Sequence, residues 1–139
     1  MKLYADTSGW VATFDRSDPL HSRAQPAFDS LLTQRSAIYT SDYVIAETIT
    51  FLVYHSSHRL ALEFGQAVQR SPRVQLIHVT EDLWQEAWQL FEKYDDKKLS
   101  FTDCASFVIM RQRKLRDAFS FDHHFEQMGF RLWPGASGV

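Results

Sequence analysis

The 139-residue chain is poor in cysteine, glycine and proline, and it carries no large excess of either charge. Five glycines and four prolines are too few for a low-complexity or fibrous chain. The single thiol, Cys104, excludes an internal disulfide and a zinc site built from several thiolates. Fifteen basic and seventeen acidic side chains give a formal net charge of -2, so a nucleic acid would have to be bound locally or through a metal ion.

Long hydrophobic runs are missing as well. The most apolar stretch, residues 43–54, is interrupted by Glu47 and is well short of the roughly twenty residues that span a bilayer. The N-terminus reaches Asp6 before it can form the apolar stretch of about seven to fifteen residues that a signal peptide needs. The sequence therefore predicts a cytoplasmic protein with no membrane partner.

Apolar residues are nevertheless plentiful. Hydrophobic residues make up 45% of the chain and aromatic residues 14%, which is enough apolar surface to offset the entropy of ordering one domain. No repeat or long linker divides the sequence. We expect one domain over residues 1–133 and a flexible tail over residues 134–139. Trp10, Phe14, Phe51 and Tyr54 either pack in its core or form part of a partner surface.

Short β-favouring runs alternate with longer segments of helical spacing. Alternation of this kind favours parallel strands joined by helices, because a parallel pair needs a crossover connection. The sequence thus predicts an α/β sandwich with a mainly parallel sheet. The expected strands are 3–5, 37–39, 74–79 and 118–121, and residues typical of helix starts occur at 6–8, 41–42, 80–82, 102–103 and 122.

Two acidic residues directly follow expected strands. Asp6 comes after the first strand and Asp122 after the last. In an open parallel sheet, ligands bind outside the carboxyl ends of the strands, so both carboxylates are expected at one edge. Each residue also suits the simpler role of a helix N-cap.

Two further acids extend this pattern. Glu47 shares a predicted helix face with Val44 and Phe51, so its charge needs a cation, an arginine, a solvated cleft or an edge position. Asp103 lies at an expected helix start, with Thr102 as a possible cap, where its charge also suits the helix dipole.

Together the four acids form a candidate metal site. Two carboxylates 4 Å apart repel by about 4 kcal/mol at an effective dielectric near 20, so a cluster implies a bound cation. Oxygen ligands indicate Mg²⁺ or Mn²⁺ rather than zinc. We expect the metal ligands to be Asp6, Asp103 and Asp122, with Glu47 as the fourth catalytic residue.

In this order, the motifs resemble those of PIN-domain ribonucleases, and the length and layout resemble VapC-type toxins. The resemblance runs from Asp6 to Trp133. The matching segments are MKLYADTS (1–8), SDYVIAE (41–47), LSFTDCA (99–105), FSFDHHF (119–125) and GF (129–130).

The resemblance implies a three-layer α/β/α fold and metal-dependent endonucleolytic cleavage of RNA. It also implies a homodimer and a cognate antitoxin that covers the acidic groove. The four acids match the family's acidic positions. Supporting roles fall to Thr7, to Ser100 or Thr102, and to His124, which stands where relatives often carry another acid.

A basic run near the C-terminus offers possible RNA contacts. Arg113 and Lys114 end the helix that begins near Asp103, where they can contact phosphates or simply solvate the helix end. Lys97, Lys98 and Arg131 are further candidates.

Other functions remain open at the sequence level. His123 and His124 suggest a metal-free mechanism with a histidine acid, although no suitable partner residue is evident. A dehalogenase-like phosphatase would carry an aspartate where Ser8 stands, and a receiver domain would need paired acids after its first strand. A catalytically idle PIN-like module that binds RNA or protein is the main alternative.

Overall fold

A computed structural model of the chain describes residues 1–135, and within this range five strands form one sheet in the order β3-β2-β1-β4-β5. All four neighbouring pairs are parallel, and the helices complete a three-layer α/β/α sandwich, so the predicted fold class is confirmed. The strands are β1 (Lys2–Ala5), β2 (Ala37–Ser41), β3 (Val74–Ile77), β4 (Asp117–Phe119) and β5 (Arg131–Trp133).

Seven helices connect the strands in this part of the chain. Most of them begin at a residue whose side chain accepts a backbone N–H from the first turn, as helix starts require. The helices are α1 (Thr7–Phe14), α2 (His21–Thr33), α3 (Asp42–His55), α4 (His58–Arg70), α5 (Glu81–Lys93), α6 (Phe101–Gln112) and α7 (His123–Gln127).

The order of the strands creates a switch point between β1 and β4. From β1 the chain proceeds to β2 and β3 on one side, and it then returns to place β4 against the other side of β1. Tyr4 pairs with Ala118 and Ala5 with Phe119, so the two strands end together. Crevices at such switch points are the usual ligand sites of open α/β sheets.

Aromatic side chains fix α1 against the sheet. Trp10 is buried, its indole N–H donates to Thr40 Oγ1 at 3.2 Å, and its rings pack edge-on against Phe28 and Phe64. Phe14 packs beside them, so Trp10 and Phe14 belong to the core. This packing holds the first turn of α1, which begins at the switch point.

The structure differs from the sequence prediction at the cap of α6, in two additional elements and at the C-terminal end of the domain. Ser100, not Thr102, caps α6, because the Ser100 hydroxyl accepts the N–H of Asp103 while Thr102 already lies in the helix. Strand β5 and helix α4 were not predicted. Trp133 is part of β5 and Pro134 is buried, so the chain stays on the core beyond 133, and residues 136–139 of the expected tail lie outside the described residues.

Within residues 1–135, no helix is long and apolar enough to span a membrane.

Gly9 allows the closest approach between α1 and the sheet. A Cβ atom at this position would overlap the backbone carbonyl oxygen of Phe119, whereas a Cβ at Gly65 of α4 would make only an ordinary contact with Ile49. We expect Gly9→Ala to lower the free energy of unfolding by about 1–3 kcal/mol, because the backbone must move. The matched Gly65→Ala should raise it by roughly 0.5–1 kcal/mol through helix propensity. Urea unfolding measures both, and a neutral Gly9→Ala would contradict the tight packing.

Candidate active site

Asp6 stands at the centre of the switch point. It follows β1 and caps α1, and its Oδ1 accepts the N–H of Gly9 at 3.0 Å and the hydroxyl of Ser8 at 2.8 Å. Its Oδ2 accepts the hydroxyl of Ser120 at 2.9 Å. The residue is only 4% exposed, so these hydrogen bonds replace most of the water that a free carboxylate would bind.

The same two serines join the end of β4 to α1. The backbone N–H of Phe121 donates to Ser8 Oγ at 2.9 Å, and the N–H of Asp122 donates to Ser120 Oγ at 3.0 Å. Each hydroxyl therefore donates to Asp6 and accepts from the segment that carries Asp122. This network fixes the position of Asp122 relative to Asp6.

Asp103 is held in the first turn of α6 by a capping box. Its backbone N–H donates to Ser100 Oγ at 2.9 Å, and its Oδ2 accepts the N–H of Ser100 at 3.2 Å. A side chain tied at both ends keeps one orientation. Ser100 thus supports the site by positioning Asp103.

Asp122 is paired with His124 at the start of α7. Its Oδ1 accepts the backbone N–H of His124 at 2.9 Å and lies 3.0 Å from His124 Nδ1. One ligand atom from each of Asp103, Asp122 and His124 lies within 4.8 Å of the others, which is a spacing suited to a shared metal ion. Asp6 lies outside this group of three.

Glu47 lies on the solvent side of α3, at the rim of the site. Val44 on the same helix is buried, but Glu47 is exposed, and Thr7 donates its hydroxyl to Glu47 Oε1 at 2.6 Å. The charge is therefore solvated and needs no cationic partner in the core. Thr7 fixes one oxygen, and Oε2 stays available.

The acids line one cavity of about 340 Å³. Among the described residues that form its wall, five are acidic and none is lysine, arginine or histidine. The fifth acid is Asp18, whose Oδ1 accepts the N–H of Leu20 at 2.8 Å. The lining residues are Asp6, Thr7, Ser8, Val11, Asp18, Leu20, Glu47, Phe51, Ser100, Asp103 and Asp122.

Burial and mutual repulsion keep two of these carboxyl groups partly protonated. Burial raises the pKa of Asp6 to about 7, the charge of Asp103 adds to the shift, and the bonds from Gly9, Ser8 and Ser120 oppose it. Burial and the charges of Asp122 and Glu47 raise the pKa of Asp103 to about 6. A cation in the cavity would relieve both effects.

The donor set fits a hard divalent cation. Carboxylate oxygens dominate it, and the nearby thiol of Cys104 is buried with a pKa raised to about 11, so it stays protonated and is a poor metal ligand. Mg²⁺ and Mn²⁺ prefer such oxygen ligands and keep several waters. Asp6, Asp103 and Asp122 are thus suitable ligands, and the imidazole of His124 is a further donor.

Three sets of predicted residues do not line the acidic cavity. Thr102 does not line the acidic cavity and instead lines the neighbouring cavity on α3, which also includes Glu47. Arg113 and Lys114 follow the last turn of α6, a helix that spans about 18 Å at 1.5 Å per residue, so they lie at the opposite end from Asp103. Arg131 pairs with Asp117 at 3.0 Å where β4 and β5 begin, so the structure does not support it as an RNA contact at the site.

Three residues of the site were not predicted from sequence. Ser8 and Ser120 each lie two positions from an acid in one of the matching motifs, and this proximity could have identified them as site residues. Asp18 lies in the loop between α1 and α2, where neither periodicity nor a cap places it near Asp6.

The chain is similar in sequence to known proteins. The sequence matches the PIN domain family over residues 3–131. It is 34% identical over 128 residues to the 23S rRNA-specific endonuclease VapC20 of Mycobacterium tuberculosis, covering 92% of this chain and 95% of the relative.

Solved structures give the same relationship. The crystal structure of the M. tuberculosis VapC20 toxin, described as cleaving the sarcin-ricin loop, superposes with a TM-score of 0.85 at 33% identity, covering 92% of this chain and 95% of that one. VapBC2 from Rickettsia felis, solved with a DNA fragment, matches with a TM-score of 0.68 at 12% identity, covering 95% and 97%, which shows a shared fold.

The raised carboxyl pKa values predict that the metal-free protein loses stability as pH rises. The pKa of Asp6 is about 7 and that of Asp103 about 6 in the folded state, against about 3.9 in an unfolded chain, so near neutrality the folded state binds more protons. Their contribution is complete below the unfolded pKa and is lost as pH rises through about 6 to 7.

We expect the free energy of unfolding in EDTA to fall by on the order of 2 kcal/mol between about pH 5 and pH 8. Urea denaturation at several pH values measures this dependence. Asp6→Asn should remove most of it, whereas Asp29→Asn, at an exposed position on α2, should leave it unchanged. A metal-free protein whose stability is constant or rises over this range would contradict the electrostatic account.

Proposed function

The chain belongs to the PIN domain family, and from its acidic cavity we propose that it is a metal-dependent endoribonuclease, the toxin component of a toxin–antitoxin pair. The observation that carries this proposal is the wall of five carboxylates with no basic side chain among the described residues that line it. Such a wall repels RNA phosphates unless a cation is bound, so the cavity suits metal-assisted phosphodiester hydrolysis.

The proposed ligands of Mg²⁺ or Mn²⁺ are Asp6, Asp103 and Asp122. When bound, the ion supplies Lewis acidity that polarises the phosphate and acidifies water. Asp103 and Asp122 present their carboxylates in fixed orientations through the capping box and the bond to His124. Asp6 contributes the most buried charge, held in place by Ser8 and Ser120.

Glu47 is the proposed proton acceptor. Its Oε1 is fixed by the hydroxyl of Thr7, which leaves Oε2 at the solvated rim to accept a proton from the attacking water. A positioned general base of this kind contributes about 10²–10⁴-fold to a rate. His124, bonded to Asp122, positions that carboxylate in this scheme.

The proposed partners follow from the relatives and from the resemblance of the motifs. The relative VapC20 is named for 23S rRNA, so rRNA is the first RNA that we propose as a substrate, in the cytoplasm. An antitoxin that covers the acidic groove and a homodimeric assembly are proposed on the basis of the family. The catalytically idle module remains the alternative, and turnover distinguishes the two.

Cleavage of RNA should require both a metal ion and the acids. We expect purified protein to cut single-stranded or looped RNA, including a 23S rRNA loop, with Mn²⁺ or Mg²⁺ and not with EDTA. Asp6→Asn and Asp103→Asn should each lower the rate by more than about 100-fold, because each removes a proposed ligand. The control Asp29→Asn should cut as the unmodified protein does.

Circular dichroism would first establish that each variant is folded. Full activity in Asp6→Asn or Asp103→Asn would contradict the assignment of the site. Metal binding without turnover on any RNA would favour the idle module.

Arg113 and Lys114 should affect the binding only of RNAs that are long enough to reach the far end of α6. Reversing both charges, Arg113→Glu with Lys114→Glu, should weaken binding of a long RNA and make its salt dependence shallower, since each phosphate contact contributes about 0.7 to the slope for single strands. A short oligonucleotide confined to the acidic cavity should bind equally well. Unchanged affinity and slope on the long RNA would exclude these contacts.

A further inference from the structure

An aromatic surface on α3 lies directly beside the acidic cavity. Side chains that recur every three or four residues along this helix line an open cavity of about 650 Å³. We call this surface the α3 shelf. Its lining residues are Tyr43, Ala46, Glu47, Thr50, Phe51, Tyr54, His55 and, from α6, Thr102.

The shelf presents flat rings to solvent. His55 stacks on Phe51 with ring centroids 3.9 Å apart and planes inclined by 10°, and His55 Nδ1 lies 3.1 Å from the carbonyl oxygen of Phe51. Tyr54 is 81% exposed, more than any of the other large exposed apolar or aromatic side chains described. Its ring is free to receive a planar group.

The shelf and the acidic cavity share two lining residues. Glu47 and Phe51 line both, so a molecule whose phosphate enters the acidic cavity extends across the shelf without leaving the surface. Glu47 is also the one acidic side chain on the shelf, and the shelf has no lysine or arginine. The shelf therefore does not attract phosphates, and it suits the stacking of planar groups.

We propose that the α3 shelf binds an unstacked nucleobase of the RNA substrate next to the phosphate that is cleaved. This inference rests on the proposed function, and it deepens it by selecting RNA whose base can leave its stack. Aromatic rings bind bases of any sequence, because every base has a π face. Single-stranded loops and ends are the RNA elements whose bases are free to stack in this way.

A second exposed aromatic stripe provides the contrast that favours the α3 shelf. Trp84, Trp88 and Phe91 lie along α5, with the two indoles stacked at 5.7 Å. Glu81 and Glu92 lie on the same face of that helix, so an RNA strand there meets negative charge. The stripe adjoins the shelf through Phe101, but no residue of α5 lines the acidic cavity. The α3 shelf shares lining residues with the proposed reaction centre, and the α5 stripe does not.

The test measures base stacking without cleavage. RNA oligonucleotides carrying 2-aminopurine at successive positions of a loop would be titrated with the protein in Ca²⁺, a hard cation that offsets the charge of the acidic cavity, and gel analysis would confirm that the RNA stays intact. Stacking on the shelf quenches the fluorescent base. Tyr54→Ala and His55→Ala remove parts of the shelf. Val53→Ala is the matched control, because Val53 is exposed on the same turn of α3 but does not line the shelf.

We expect Tyr54→Ala to weaken RNA binding by about 5- to 100-fold and to abolish the quenching at one position, with Val53→Ala unchanged. Replacing that nucleotide by an abasic one should weaken binding by the unmodified protein, and Tyr54→Ala should then add no further loss. In cleavage assays with Mn²⁺ the effect should fall mainly on KM. Tyr54→Phe should restore binding, since it keeps the ring.

Several outcomes would contradict the proposal that the shelf binds a nucleobase. Equal RNA binding by all variants would do so, and so would the absence of base-specific quenching with the unmodified protein. A change of oligomeric mass in Tyr54→Ala, with quenching retained, would assign the surface to a second copy of the chain.

The two proposals fail separately. Normal cleavage by Tyr54→Ala would contradict base binding at the shelf and would leave the proposed nuclease activity supported. Quenching that depends on Tyr54, together with no cleavage of any RNA in Mn²⁺ or Mg²⁺, would support base binding at the shelf and contradict the proposed nuclease activity.

Discussion

The burial of carboxylates beside one another at one edge of the sheet is the constraint on which the rest of the site depends. Desolvation is the larger cost of burying such groups, and two carboxylates 4 Å apart at an effective dielectric near 20 would in addition repel by about 4 kcal/mol. Both effects raise the pKa values of Asp6 and Asp103 to about 7 and about 6. Acids persist at such positions only if the fold holds them there, and a bound cation would convert this unfavourable arrangement into an affinity for metal.

The hydroxyl network around Asp6 is how the fold holds them. Ser8 and Ser120 donate to the two oxygens of Asp6 and accept backbone N–H groups of the segment after β4, so the ends of β1 and β4 form one unit. Gly9 lets α1 approach Phe119 closely enough for these bonds to form. The buried packing of Trp10 then anchors α1, so the positions of the acids depend on the packing of the core.

The sequence predicts those parts of the site that follow from regular structure. Asp6 and Asp122 end parallel strands, and their position at one edge follows from that topology alone. Asp18 and the alignment of Ser120 depend on how a loop folds back and on side-chain rotation, for which a single sequence has no periodic signal. Helix α4 had a usable signal in its Ser57 cap and its apolar face, whereas β5 is three residues long and is defined by its pairing with β4. The cap of α6 fell on Ser100 rather than Thr102 because the capping box needs the hydroxyl three residues before Asp103.

The most direct measurement of the central claim is calorimetric titration of the metal-free protein with Mn²⁺ near pH 6.5, in two buffers that differ in their enthalpy of ionisation. If the carboxylates form the metal site, binding must displace protons from Asp6 and Asp103, whose pKa values lie near this pH, and the observed heat must differ between the buffers. The account predicts saturable binding, a release of up to about one proton per ion, and loss of binding in Asp103→Asn. No saturable binding, or binding that Asp103→Asn leaves unchanged, would contradict it.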